Sequence, residues 1–202
     1  MLYIAGYRDR ADLFLPEAIE AAADTVIWCC ESTPPIEARR PDDRTIVGTV
    51  IDGLRHWADE RIMKGSADAG QTPGNGGTRR EVVPAAVARL IAIGSDRMMA
   101  AVAQAHADWL GGRLAAGHVA LASVNSPMQC MMKGVCGQCV QRLRDPRTGA
   151  ERHVFTCAAQ DQPLAEIDFG CLAARLQQNG LQEKVTFQCI KSGVRNLRGL
   201  KF

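Results

Sequence analysis

The 202-residue sequence lacks a dominant charge, a long apolar run and any pairing of its few histidines, and each absence removes a class of function. Twenty-four basic residues face 22 acidic ones, a net charge of +2. That balance gives no overall field of the kind that draws in nucleic acid or a membrane surface. No stretch of eighteen or more apolar residues occurs, and the opening "MLYIAGYRDRADLF" meets charge at Arg8. Neither a spanning helix nor a secretory signal fits, and the expected location is the cytoplasm. The four histidines, at 56, 106, 118 and 153, show no ligand pairing at helical spacing and receive no role. No internal repeat is present.

What the chain does have is an ordinary apolar content, 47%, and eight cysteines. The first is enough to bury a core. The second, in a cytosolic chain, points to metal ligation or redox chemistry more than to a disulfide framework.

The first half alternates two kinds of segment. "LYIAGY" (2–7) is a short apolar run, and "ADLFLPEAIEAAAD" (11–24) has a helical pattern with Pro16 as its blemish. "TVIWCC" (25–30), rich in β-branched and aromatic residues, predicts a buried strand, with Cys29 and Cys30 as core residues. A polar loop (31–44) leads to "GTVIDGLRHWADERIM" (48–63), where Val50, Leu54 and Trp57 recur at helical spacing. Residues 64–80 have the composition of a loop. A strand over 89–93, a turn at Gly94, a helix over 96–110 and a strand over 118–123 follow. Strands and helices in this order predict an α/β domain, residues 1–123, with a partial doubly wound, mostly parallel sheet. Such sheets bind ligands at the carboxyl ends of their strands.

After residue 123 the composition changes, and a second, small β-rich domain over 124–202 is expected. "CVQRLRD" and "ERHVFTC" flank the turn "PRTG", which predicts a hairpin with Cys139 near one end and Cys157 at the other. An amphipathic helix from Glu166 is expected to stop at Gly180, and the basic tail beyond it suggests no chemistry.

The thiols carry the chemistry. Cys130, Cys136 and Cys139 crowd into "MQCMMKGVCGQC", and an antiparallel hairpin would return Cys157 to their side. Four thiolates hold zinc tetrahedrally or an iron-sulfur cluster. Structural zinc sites tend to use two C-x-x-C knuckles, whereas this chain has one, with a lone distant fourth thiol. The pattern is close to the plant-type ferredoxin spacing C-x4-C-x2-C…C with one extra residue in the first gap, which favours a 2Fe-2S cluster over zinc. Gly134 and Gly137 would let backbone amides turn toward the sulfides, and Met128, Met131 and Met132 could screen them from water. Cys171 and Cys189 lack ligand spacing.

These motifs carry a family resemblance. "SVNSPMQCMMKGVCGQC…FTCAAQDQPLAEIDF" resembles the cluster domain of the dihydroorotate dehydrogenase electron-transfer subunit and its relatives, the small subunits of NADH-dependent ferredoxin:NADP oxidoreductase and sulfide dehydrogenase. The positions matching the family pattern are Met128, Cys130, Gly134, Cys136, Cys139, Cys157, Asp161, Pro163 and the triplet Ile167, Asp168, Phe169. Upstream, "AIGSDRMMAAV" is similar to its G-P-x-x-M-M-x-x-V, with Ser95 in place of proline, and "GTVIDGL" to its G-x-V-x-D-x-L. The likeness runs from Tyr3 to about Lys184.

The resemblance implies a ferredoxin reductase-like nucleotide domain followed by a 2Fe-2S domain. In it NAD(P)H reduces FAD, and the flavin delivers single electrons through the cluster to a partner catalytic subunit. The cluster ligands would be Cys130, Cys136, Cys139 and Cys157. Arg8 and Arg10 would meet an adenosine 2′-phosphate, and Gly94, Ser95 and Met98 would lie at the nicotinamide side. No residue is assigned a catalytic role. Neither an R-x-Y-[ST] flavin signature nor a glycine-rich first βα turn is present, so FAD would be bound mainly by a region outside this chain. The expected partners are an upstream flavin-binding domain, a catalytic oxidoreductase subunit, or both, and the chain is expected to need such a partner to fold well. The alternative readings are a zinc-stabilised binding module and a fragment unable to bind cofactor.

Overall fold

The computed structural model describes residues 1–65, 82–124, 137 and 139–198. The expected loop over 64–80 lies almost wholly outside them, as do Met128, Cys130, Met131, Met132, Gly134 and Cys136. The chain divides into two compact units, one of Met1–Leu90 with Ala101–Val119, the other of Ile91–Ala100 with Ala120–Phe202.

The first unit is built on a parallel three-stranded sheet in the order β1 (Leu2–Tyr7), β2 (Thr25–Cys30), β3 (Arg44–Val47). Leu2 pairs with Thr25 and Tyr7 with Cys30, and on the other side Ile27 pairs with Arg44 and Cys30 with Val47. After Thr25 the central strand is apolar because a parallel strand is covered on both faces. Val26 to Cys30 are all buried. Burial pushes the Cys29 thiol up to about 12, so it behaves as a small apolar side chain.

Helix α1 (Pro16–Ala22) begins where the sequence reading placed an interior blemish. Pro16 is the first helical residue, where its missing N–H costs no hydrogen bond. The chain enters through Leu15 at φ 46°. The loop after β2 holds a feature that composition hid. Asp43, its side chain fully buried, accepts from the Val26 amide at 2.8 Å and from Arg40 Nη2 at 2.8 Å and Nε at 2.9 Å.

Helix α2 (Val50–Gly65) covers the sheet. Thr49 and Asp52 form its cap: the Thr49 amide and hydroxyl both donate to Asp52 Oδ2 at 2.7 Å. The aspartate of the "GTVIDGL" motif therefore starts a helix. Gly53 lets that helix approach the strands, since a Cβ there would lie 2.5 Å from Cys29 Sγ and 3.2 Å from Ile4 Cγ2.

Helix α3 (Asp96–Ala105), whose residues from Ala101 belong to this unit, runs on into a π-helical turn, His106–Leu110, and a 3-10 turn, Gly111–Arg113. Trp109 lies between Arg55 and Arg113, whose guanidinium carbons are 5.8 and 5.4 Å from its ring centroid. The histidines are not all scattered: His106 Nε2 stands 2.7 Å from His118 Nε2, and burial followed by the neighbouring His118 holds His106 below its ordinary pKa.

The second unit contains most of a sheet in the order β4 (Arg89–Ile93), β5 (Val119–Ser123), β8 (Asp161–Pro163). Strand β8 comes from beyond residue 123 and pairs antiparallel with β5, Leu121 opposite Pro163 and Ser123 opposite Asp161. The family-like Asp161 and Pro163 thus form a strand that extends this sheet. A hairpin, β6 (Val140–Arg144) and β7 (Glu151–Phe155), forms at the turn read from "PRTG", with Val140 opposite Phe155 and Arg144 opposite Glu151.

Helix α4 is longer than expected, Phe169–Arg198. A glycine ends a helix when it takes a left-handed conformation, and Gly180 remains helical. No proline follows it. Inside a helix such a glycine costs only about 1 kcal/mol relative to alanine.

A candidate metal centre at the base of the hairpin

Cys139 immediately precedes β6, and Cys157 lies two residues after β7. Antiparallel pairing therefore carries both thiols to one end of the hairpin. The Thr156 amide donates to the Cys139 carbonyl at 3.2 Å and its hydroxyl to the same oxygen at 3.3 Å. Burial pushes the Cys139 thiol up, but hydrogen bonds from the Cys157 amide and thiol and from the Thr156 hydroxyl outweigh it, and its pKa lies below the ordinary value. Such a sulfur is suited to ligate a metal as thiolate. Cys139 is buried and Cys157 half-buried.

The described part of the C-x-x-C motif, Gly137 and Cys139, is held from two directions. Gly137, at φ +68°, adopts the left-handed backbone that favours glycine, as a knuckle turn requires. Its carbonyl accepts from the Val140 amide at 3.2 Å and from Arg175 Nη2 of α4 at 2.9 Å. Helix α4 is fixed in turn by Asp168, whose Oδ1 accepts from the Cys171 amide at 2.8 Å while Oδ2 accepts from Arg142 Nε on β6 at 2.9 Å. Ile167 bridges to Leu143 of the same strand and is buried. The Ile167, Asp168, Phe169 triplet is thus the joint between hairpin and helix.

Gln141 was not singled out in the sequence. It lies on β6, two residues after Cys139. It is 1% exposed, and neither atom of its amide has a hydrogen-bond partner among the described residues. A buried amide left in that state costs about 1–3 kcal/mol, so this position suits a donor beside a group with spare acceptor capacity, such as a thiolate or sulfide.

No cluster of three or more metal-ligating side chains occurs among the described residues, and Cys130 and Cys136 lie outside them. The structure places two of the four expected ligands together, Cys139 and Cys157. Cys171 sits in the first turn of α4, and Cys189 is exposed further along it.

The expected nucleotide contacts fall in different units. Arg8 and Arg10 follow β1 in the first; both are exposed, and Arg10 forms a 3.9 Å ion pair with Glu37. Gly94, Ser95 and Met98 belong to the second, at the carboxyl end of β4. There Ser95 caps α3, its hydroxyl accepting from the Met98 amide at 3.2 Å. Gly94, at φ +156°, lets the Met98 side chain fold back: a Cβ at 94 would lie 2.4 Å from Met98 Cε.

The fold is mixed α/β, with one parallel sheet and antiparallel pairing elsewhere. Among solved structures it is similar to the NADH-dependent reduced ferredoxin-NADP oxidoreductase described for flavin-based electron bifurcation, with a TM-score of 0.53 and 16% identity, over 94% of this chain and 51% of that one. Among curated proteins, the uncharacterized protein RP006 of Rickettsia prowazekii (strain Madrid E) is 50% identical over 64 residues, 32% of this chain and 8% of that protein. The chain thus spans about half of the first and less than a tenth of the second. No family model matches.

Proposed function

We propose that this chain is the iron-sulfur electron-transfer module of an NAD(P)H-dependent flavoprotein oxidoreductase. Cys130, Cys136, Cys139 and Cys157 hold a 2Fe-2S cluster, which supplies a one-electron station between a two-electron flavin and an acceptor. FAD is bound mainly by a flavin-binding domain outside this chain, and the electrons pass to a partner catalytic subunit of the dihydroorotate dehydrogenase, glutamate synthase or ferredoxin:NADP oxidoreductase type. Arg8 and Arg10 face the nucleotide phosphates, and Gly94, Ser95 and Met98 the nicotinamide side. Residues 1–123 form the truncated nucleotide domain and residues 124–202 the cluster domain.

The observation that carries the reading is the convergence of Cys139 and Cys157 at the base of the hairpin, one sulfur accepting the other's amide. The role of this chain's residues is to hold thiolates and to keep water away: Cys139 is buried, the Gly137 turn is pinned by Arg175, and the Gln141 amide has no partner among the described residues. Protein purified or reconstituted without oxygen is expected to be red-brown, with absorption that bleaches on dithionite. Cys139→Ser and Cys157→Ser should each remove that colour. A colourless wild-type protein holding one zinc overturns the proposal.

A further inference from the structure

We propose that His106 and His118 form a second, independent metal site, a bis-imidazole clamp for a borderline divalent transition cation such as zinc or nickel. The site lies wholly in the first unit and does not depend on the cysteine cluster.

The two side chains come from different elements, His106 from the start of the π-helical turn and His118 from the turn before β5, yet their Nε2 atoms converge to 2.7 Å. His118 Nδ1 lies 3.0 Å from the Ala115 carbonyl, and only a ring N–H can bond there. In the neutral ring this fixes Nε2 as the atom with the lone pair. The same arrangement, one ring nitrogen tied to a carbonyl and the other left for the metal, orients liganding imidazoles in general. Without a cation, His106 must then donate its Nε2 proton to that lone pair.

A cation replaces that proton in the bridge. His106 moves its proton from Nε2 to Nδ1, both Nε2 lone pairs turn to the metal, and no proton leaves the pair. Zinc–nitrogen bonds of about 2.0–2.1 Å at a tetrahedral angle set the two nitrogens about 3.3–3.4 Å apart. The rings therefore part by about 0.6 Å, a small rotation at each. Gly111 provides the room. A Cβ there would lie 2.7 Å from the His106 carbonyl oxygen and 3.2 Å from its Nε2.

The nearby carboxylates are engaged elsewhere, Asp108 with Gln104 and Asp59 with Arg113, so water completes the coordination. Two neutral imidazoles select zinc, nickel, cobalt or copper over magnesium and calcium, which prefer oxygen. A π-helical turn at the first ligand fits the frequent occurrence of such turns at functional sites.

Tag-free full-length protein is titrated with nickel and, separately, with cobalt under reducing conditions. His106→Gln and His118→Gln are each expected to weaken one equivalent of binding by at least about tenfold, while Cys139→Ser and Cys157→Ser leave that equivalent in place. Cobalt at this site gives no thiolate charge-transfer band, which separates it from binding at the cysteines. Because a variant can lose its fold, the wild-type protein is also followed by nitrogen-15 NMR of the imidazoles during addition of zinc. The His106 and His118 rings shift, with His106 changing tautomer, and His153 does not. Nickel affinity unchanged in His118→Gln, or zinc that leaves both ring signals in place, overturns the proposal, whatever the outcome for the iron-sulfur reading.

Discussion

Arg142 on β6 grips Asp168 through Nε at 2.9 Å and Nη2 at 2.5 Å, while the amide of Asp168 donates back to the Arg142 carbonyl at 3.1 Å. One carboxylate therefore both caps α4 and ties that helix to the cysteine-bearing hairpin. Asp168→Ala removes the cap, worth about 1 kcal/mol, and a partly exposed ion pair worth up to about 1 kcal/mol more. The expected loss is about 2 kcal/mol in urea unfolding followed by the circular dichroism of α4. Asp168→Asn keeps the capping oxygen and should lose about half as much.

The same residue sets an acid limb. The Cys171 amide, opposed by partial burial and reinforced by Arg142, holds the Asp168 carboxyl below its ordinary 3.8. A folded-state pKa below the unfolded one means that the stabilisation is complete above pH ~4 and is lost as pH falls through the folded value. Asp168→Asn should flatten that part of the stability profile, and an unchanged acid limb in the variant would falsify this assignment.

In the first unit the corresponding anchor is Asp43. Its removal leaves the Val26 amide of the buried central strand without an acceptor and Arg40 without its carboxylate. Breaking a buried pair costs about 3–5 kcal/mol, and the lower end applies because Arg40 keeps the Ala23 carbonyl at 3.0 Å. Trp28, Trp57 and Trp109 are the three tryptophans of the chain, and all lie in this unit, so their fluorescence reports its unfolding alone. Asp43→Ala should shift that transition by about 3 kcal/mol, and Asp43→Asn by less.

The approach of α2 to the sheet rests on the absence of a side chain at Gly53. Gly53→Ala forces a methyl against Cys29 Sγ, and overpacking of this kind costs about 1–3 kcal/mol, offset by under 1 kcal/mol of helix propensity. In Cys29→Ala the obstructing sulfur is gone. The double variant should therefore recover at least about 0.5 kcal/mol relative to the sum of the singles. Strict additivity would show that the helix simply moves away.

Much of this was legible in the sequence wherever a segment carried its own periodic signal. "TVIWCC" is apolar at every position after Thr25 because both faces of β2 are covered, and "PRTG" between two β-rich runs marks the hairpin that joins Cys139 to Cys157. The misses share a different cause. β3 is four residues long beside prolines and aspartates, too short to show a pattern. Pro16 was misplaced because a first-turn proline and an interior one look alike until the chain's entry at Leu15 is known. His106 and His118 are twelve residues apart with a helix end between them, and Asp43 resembles any loop aspartate. Contacts of that kind are made by tertiary folding and leave no periodic trace. The motif residues were found for their likeness, whereas their roles, Asp52 and Ser95 as helix caps and Asp168 as a joint, emerged only from hydrogen bonds.

Gln141 gives the sharpest test of whether something is meant to occupy the hairpin base. Its amide is buried without a partner among the described residues, an arrangement that costs about 1–3 kcal/mol wherever no partner is supplied. Gln141→Met keeps the length and removes both polar atoms. It is expected to raise the urea midpoint of the iron-free protein by the equivalent of about 1–2 kcal/mol. In protein reconstituted with iron and sulfide the amide gains an acceptor if it donates to a cluster sulfur, and the advantage of methionine should shrink or reverse, because losing a hydrogen bond to a charged acceptor costs about 1.5–3 kcal/mol. An equal gain in both forms would mean that the amide faces away from the metal centre.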